Sequence, residues 1–178
     1  MPVDQKHVQL PVLTTERLTL RSLLPSDAEA ICTLRSDAIV NRFIDRPKQI
    51  TIEEAAGFII KISHNIARGH SLYWGISLLS YPEIIGTICL WNFSPDGTSA
   101  EIGFELMPEH HRKGLMKEAV KKVLTFAFGE LNLSSVEAYT HPDNVASIHL
   151  LTHFGFARSD KKTDDGNMEY TVFYLRSC

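Results

Sequence analysis

Between Ser71 and Met107 the chain carries three strand-like runs separated only by short turns. SLYWGISLL spans Ser71 to Leu79. EIIGTICLWNF spans Glu83 to Phe93, after a turn containing Pro82, and AEIGFELM spans Ala100 to Met107, after the turn signal SPDG. Runs rich in β-branched and aromatic residues, bounded by Pro, Asp and Gly, read as strands. Short turns join antiparallel neighbours, because a parallel pair needs a long crossover. The middle of the chain is therefore expected to be an antiparallel meander.

The flanks decide what packs on it. RLTLRSL, Arg17 to Leu23, alternates apolar and polar residues as a strand does. Pro25, Ser26 and Asp27 mark a helix start, and AEAICTLRSD carries that helix. A short helical piece is expected around Ala38 to Ile44. TIEEAAGFIIKISHNIARG reads as a helix with Thr51 as N-cap, Glu53 and Glu54 in its first turn, and Gly69 at its end. From Leu115 onward Met116, Ala119, Val120, Val123, Leu124 and Ala127 recur at helical spacing. VEAYT is a strand, and NVASIHLLTHFG is a helix opened by Asn144 and closed by Gly155. FARSDKK and MEYTVFYLRS form a hairpin around DDGN. The order implies an α/β fold: a mixed, mostly antiparallel central sheet of about six to seven strands, flanked by about four helices. At 178 residues this is one domain over residues 1–178, with residues 1–12 a candidate flexible arm.

Composition excludes several classes. A formal net charge of −3 argues against a whole-surface nucleic-acid binder. Cys32, Cys89 and Cys178 have no metal-type spacing, and an odd, sparse set suits a reducing compartment. MPVDQKHVQL has no apolar run of signal-peptide kind, and no segment approaches the length of a membrane span. A cytoplasmic protein is expected. Among the eight His, His149 and His153 lie four apart on a helix, but HLLTH lacks the Glu of a zinc H-E-x-x-H motif and no third ligand is spaced for a metal, so no metal is expected.

One segment breaks a local rule. EHHRKGLMKEA puts His110, His111, Arg112 and Lys113 directly before the helix that starts at Leu115. Helix starts carry partial positive charge and usually attract Asp and Glu. They also present backbone N–H groups with no intrahelical partner, which suits a bound anion. Gly114 lets the backbone approach a ligand, and Arg112, Lys113 and Lys117 add Coulomb attraction. A solvated basic turn of no consequence is the alternative.

In context the chain resembles the GNAT acyl-CoA-dependent N-acyltransferases, in the branch of the ribosomal-protein N-terminal acetyltransferases and the spermidine acetyltransferases. The matching stretches are LTTERLTLR, AEIGFELMPEHHRKGLMKEA, and NVAS with FGF, in the family's order and over nearly the whole chain. The family's pyrophosphate motif is Gln or Arg, two residues, Gly, one residue, then Gly or Ala. Here it reads HRKGLM, with His111 and Met116 departing from it.

The resemblance implies acetyl-CoA as co-substrate, with its pyrophosphate on the turn formed by His111, Arg112, Lys113, Gly114, Leu115, Met116 and Lys117. Its pantetheine arm would lie along Phe104, Glu105 and Leu106, where splayed strands leave backbone groups free. Asn144 would touch the arm or the substrate, or would only cap its helix. The activity implied is acetyl transfer to a primary amine, by direct attack in a ternary complex. The acceptor is a small molecule, such as a polyamine, or a protein N-terminus. Neither a nucleic-acid nor a membrane partner is expected, and the protein is a monomer or a homodimer. A backbone N–H near Leu106 can polarise the thioester carbonyl. Glu101 and Glu105 are the candidate bases, with Glu101 preferred by the resemblance, unless it only attracts a cation or a water relays the proton. They share a strand face unless a bulge intervenes. The family's frequent tyrosine acid is replaced by Leu151. Ser147 takes its place as donor to the leaving sulfur, unless it is only a small packing residue, and Tyr139 is a weaker candidate. Trp74 and Trp91 belong to the core or a substrate cleft. A second reading is a non-catalytic acyl-CoA-binding sensor or scaffold.

Overall fold

The computed structural model describes residues 9–162 and 170–177. Its one sheet has eight strands in the order β1-β2-β3-β4-β5-β6-β8-β7. They are β1 (Leu13–Thr14), β2 (Leu18–Arg21), β3 (Ser71–Leu78), β4 (Tyr81–Trp91), β5 (Ser99–Leu106), β6 (Ser135–Thr140), β7 (Ala157–Lys162) and β8 (Thr171–Arg176). The helices are α1 (Ala28–Ser36), α2 (Ile52–Ala67), α3 (Leu115–Gly129) and α4 (Val145–His153). Short 3-10 turns at Pro25–Asp27, Val40–Phe43 and Pro108–His110 supplement them.

The meander β3-β4-β5 is antiparallel throughout. β3 is buried on both faces because helices cover both. Trp74 meets Phe126 of α3 edge-on at 5.8 Å, while its neighbour Tyr73 meets Phe58 of α2 on the opposite side, also at 5.8 Å. This explains why SLYWGISLL is nearly all apolar rather than alternating. Thr51 caps α2 as expected, accepting from the Glu54 amide while the Glu54 carboxylate accepts from the Thr51 amide. The α3 stripe packs as expected: Ala119, Val120, Val123, Leu124 and Ala127 are buried, and Met116 packs against them partly covered.

The count of six to seven strands is corrected to eight among the described residues. The added strand is β1, whose two residues pair with Thr19 and Leu20 and are too short to show a period. β4 begins earlier than expected and holds Pro82 at the irregular end of its ladder with β3, where a missing N–H is tolerated. In the described part of residues 1–12, Leu10 is buried, and the Pro11 carbonyl accepts from Trp74 Nε1 at 2.8 Å. That bond satisfies the indole of a fully buried tryptophan, which holds the segment down. Trp74 is thus core, whereas Trp91 is 46% exposed. The DDGN turn lies outside the described residues; β7 and β8, which flank it, pair antiparallel.

One pair breaks the antiparallel pattern. β5 and β6, joined through α3, run parallel, and pair only at Ser99↔Ser135, Ala100↔Val136 and Glu101↔Glu137. Beyond Glu101 the two strands diverge, and the sheet opens.

Candidate active site

The opening between β5 and β6 exposes backbone. The Met107 amide donates to the Ile85 carbonyl at 2.8 Å, so alternation turns the peptide groups of Glu105 and Gly103 to β4 as well. Those of Phe104 and Leu106 then face the gap. Of the three residues expected to line a pantetheine arm, Phe104 and Leu106 present backbone to it, while Glu105 presents its backbone to Thr87 of β4. His111 Nε2 donates to the Leu106 carbonyl at 2.7 Å, so that nitrogen carries a proton and the side chain closes the end of the strand. His111 is therefore turned back on β5.

The basic turn lies beyond that strand end. Arg112 and Gly114 both adopt left-handed backbone, with φ of 59° and 74°. Gly114 is the N-cap of α3 and has no side-chain substitute for the missing bonds. The Glu118 amide is the first to bond back, to Gly114 O, so the amides of Leu115, Met116 and Lys117 precede the helical ladder. Arg112, Lys113, Gly114 and Lys117 are exposed, whereas Leu115 is buried in the core. This is the geometry of an anion cradle.

A second set of residues fixes the turn. Glu118 accepts from Thr15 Oγ1, from the Arg17 amide at 2.8 Å and from Arg17 Nε at 2.8 Å. Arg17 Nη1 also donates to the Lys113 carbonyl at 3.0 Å. Burial works to raise the Glu118 carboxyl, but the bonds from Thr15 and Arg17 hold it below its ordinary value. The sequence reading placed Arg17 at the start of a strand and did not single out Glu118. The available signal was Glu118 itself, the only acid in the first turn of a helix crowded with cations.

The carboxylates of β5 share a face, because the β4–β5 register runs unshifted from Gly86↔Leu106 to Trp91↔Glu101. No bulge separates Glu101 from Glu105; the irregularity lies on β4, opposite Ile76 and Ser77. Their fates differ. Glu105 Oε2 lies 2.8 Å from Arg46 Nη2, both side chains nearly buried, and Glu105 Oε1 accepts from Thr87 Oγ1 at 3.3 Å. The Arg46 contact is off the line of a directed hydrogen bond and acts as an ion pair. Arg46 Nε donates to Asn41 Oδ1 at 2.6 Å, and Asn41 also holds the carbonyls of Arg35 and Lys48. Glu105 is thus spent on holding the 41–48 connection against the sheet.

Glu101 has no such cation. Burial first, then the neighbouring Glu137 carboxylate, push its carboxyl from 4.5 up to about 7, against a bond from Asn92 that works to lower it. Glu137 is its direct partner across the one parallel pairing. An open groove of about 440 Å³ continues from Glu137 over Ser135, Arg158, Tyr174 and Arg176. Other acids near the β5 face are unsuitable. Burial, then Glu105, raise the Tyr73 hydroxyl, and burial pushes the Cys89 thiol up to about 12.

Asn144 caps α4: its Oδ1 accepts from the Ser147 amide at 3.2 Å. Ser147 is partly buried in the first turn of α4, which follows β6 after the short connection 141–144. Leu151 is 1% exposed and belongs to the core. Tyr139 donates to Glu137 Oε2 at 3.2 Å. His149 and His153 are exposed, and among the described residues no group of His, Cys, Asp or Glu is placed to hold a metal. No described helix is long and apolar enough to cross a membrane.

A strand that frees its backbone at a splay and then enters a glycine-centred basic turn fits the coenzyme of an acyltransferase. The sequence model of the acetyltransferase (GNAT) domain matches residues 17–157. The chain belongs to the GNAT acetyltransferases. The uncharacterized N-acetyltransferase YoaA of Bacillus subtilis (strain 168) is 36% identical over 148 residues, which cover 83% of this chain and 84% of that relative. The spermidine N(1)-acetyltransferase of Vibrio cholerae is 25% identical over 141 residues, 79% of each chain. The fold of RimL, a ribosomal L7/L12 alpha-N-protein acetyltransferase solved with coenzyme A, superposes with a TM-score of 0.83 at 16% identity, over 93% of this chain and 98% of that one. The chain is an N-acetyltransferase, its co-substrate is acetyl-CoA and its acceptor is an amine.

Proposed function

We propose that this GNAT acetyltransferase moves an acetyl group to a primary amine by direct attack in a ternary complex, with Glu101 as general base. The coenzyme phosphates rest on the turn from Arg112 to Lys117, and the pantetheine arm runs along Phe104 and Leu106. The amine nitrogen attacks the thioester carbonyl, whose developing oxyanion accepts from the Leu106 amide. The amine proton passes to Glu101 through a relay of waters, because five strand residues, roughly 16 Å, separate Glu101 from Leu106. The C–S bond then breaks, and the departing thiolate accepts a hydrogen bond from the Ser147 hydroxyl.

The observation that carries this reading is the parallel pairing that stops at Glu101↔Glu137, which sets Glu101, buried and beside a second carboxylate that helps raise its carboxyl to about 7, at the root of the gap. A base poised near neutral pH combines a usable ionised fraction with a real driving force for proton transfer. Glu137 beside it favours a cationic amine, while the open groove beyond, lined by Arg158 and Arg176 as well as Asp160, offers room without added attraction for further positive charge. A polyamine and a protein N-terminus are the two acceptor classes to test, since relatives are named for spermidine and for ribosomal proteins.

The test is release of free CoA from acetyl-CoA with a panel of amines, including spermidine and peptides with free N-termini. Turnover with one class is expected. Tight acetyl-CoA binding with no turnover on any amine would favour a sensor of the same fold.

A further inference from the structure

We propose that Arg17 is a positioning residue of the phosphate turn, holding the Lys113–Gly114 peptide so that the Gly114 N–H points at the coenzyme's pyrophosphate. The inference rests on the reading of residues 112–117 as the phosphate cradle. Arg17 lies in the β1–β2 turn, 96 residues before Lys113, yet its guanidinium bridges the cradle's Lys113 carbonyl and the Glu118 carboxylate just after it. Nε donates to Glu118 Oε2 and Nη1 donates to the Lys113 carbonyl. The remaining nitrogen, Nη2, sits 3.5 Å from where a Gly114 Cβ would stand.

The peptide bond joining Lys113 to Gly114 is trans and planar, so its C=O and N–H point in opposite directions. Fixing the carbonyl on Arg17 fixes the amide on the side away from it. Nothing else in the turn does this: α3 has no side-chain N-cap, and Gly114 is the least constrained residue available. Two left-handed residues, Arg112 and Gly114, flank Lys113, so without the tie the peptide has alternative orientations close in energy. Thr15 and the Arg17 amide hold Glu118 from the same β1–β2 turn, which makes that turn a template for the loop. Arg17 also brings a positive charge to the loop, partly offset by Glu118. Lysine cannot replace it: an ammonium lacks the planar fork that reaches the carboxylate and the carbonyl together.

The experiment compares wild type, Arg17→Ala and Arg17→Lys. CoA affinity is measured by calorimetric titration. Acetyl transfer is measured with acetyl-CoA and with S-acetylpantetheine, which has the same thioester arm and no phosphates. In Arg17→Ala the Kd for CoA should rise about tenfold, the loss of one charge-assisted contact. The kcat/KM with S-acetylpantetheine should stay within about twofold of wild type, while that with acetyl-CoA falls in step with affinity. Arg17→Lys, which keeps an ionic partner for Glu118, should show the same selective loss. Equal losses on both donors, unchanged CoA affinity, or full rescue by lysine would overturn the proposal. A wild type that uses the two donors equally well would instead refute the phosphate cradle itself, and the role of Arg17 with it.

Discussion

Replacing Glu101 with Gln keeps the size and polarity of the side chain and removes its charge. In the folded chain this carboxyl titrates near 7 rather than at 4.5. Between those values the folded chain holds a proton that the unfolded chain releases, so stability falls as pH rises through the window, and the cost is constant above it. A shift of that size corresponds to about 3 kcal/mol for a wholly buried group. Glu101 is only partly buried, and solvent screening reduces the figure to about 1–2 kcal/mol. Glu101→Gln should therefore be more stable than wild type by about that amount at pH 8, and nearly equal to it at pH 4.5.

Urea denaturation of both proteins at several pH values reads this directly. The same substitution should lower kcat about 100-fold or more, with CoA affinity little changed, since it removes a proton acceptor and not a binding group. Wild-type activity should rise through pH 7 as the carboxylate forms, and the variant should lose that limb. Parallel stability curves from pH 4.5 to 8 would show that Glu101 is not desolvated. A variant with wild-type rate would show that it is not the base, whatever its titration.

Three other substitutions probe the remaining parts. Ser147→Ala should lower kcat on the order of 10- to 100-fold with unchanged CoA affinity, the loss of one hydrogen bond to a developing thiolate; an unchanged rate in single-turnover measurements would leave Ser147 a packing residue. Arg46→Ala should destabilise the fold by about 3–5 kcal/mol in urea, because it leaves the Glu105 carboxylate buried without its cation, whereas the double variant Arg46→Met with Glu105→Leu should recover most of that loss. Gly114→Ala forces a side chain onto a φ of 74°, so it should cost about 1–2 kcal/mol of stability and weaken CoA, although the Cβ itself meets only ordinary contact with Arg17. Equal melting temperatures for Gly114→Ala and wild type would mean that the turn relaxes out of its left-handed conformation.

The parts legible in the sequence are those written in short-range pattern. The meander's turns, the α3 stripe, the Thr51 N-cap and the basic turn at Gly114 each lie within a few residues, and each appears where expected. What escaped depends on partners far along the chain. Arg17 and Glu118 are 101 positions apart, and neither has a local pattern that announces the other. Arg46 lies in an aperiodic connection, so nothing in its neighbourhood marks it as the cation for Glu105. β1 escaped because two residues cannot express a period of two. Asn144 shows the reverse limit. Its helix-capping role is visible in the bond to the Ser147 amide, and any contact with substrate would be made by the same residue from the same place.

Glu101 and Glu105 show most directly why composition and spacing alone cannot separate a base from a strut. They stand four residues apart on one strand, face the same side and are chemically identical. Glu105 meets Arg46 because the connection after α1 crosses this end of β5 and is itself held by Asn41. Glu101 meets Glu137 because β5 and β6 pair in parallel for three residues and then part. The same divergence that frees the backbone of Phe104 and Leu106 for the proposed coenzyme arm therefore begins at the position where two carboxylates are forced side by side. A sheet that closed fully would bury the Phe104 and Leu106 peptides in a ladder. A sheet that opened one pair earlier would expose Glu101 and separate it from Glu137, easing first the burial and then the repulsion that raise its carboxyl. The point at which the strands part thus sets the proposed coenzyme slot and the protonation of the proposed base together, and moving that point would compromise both.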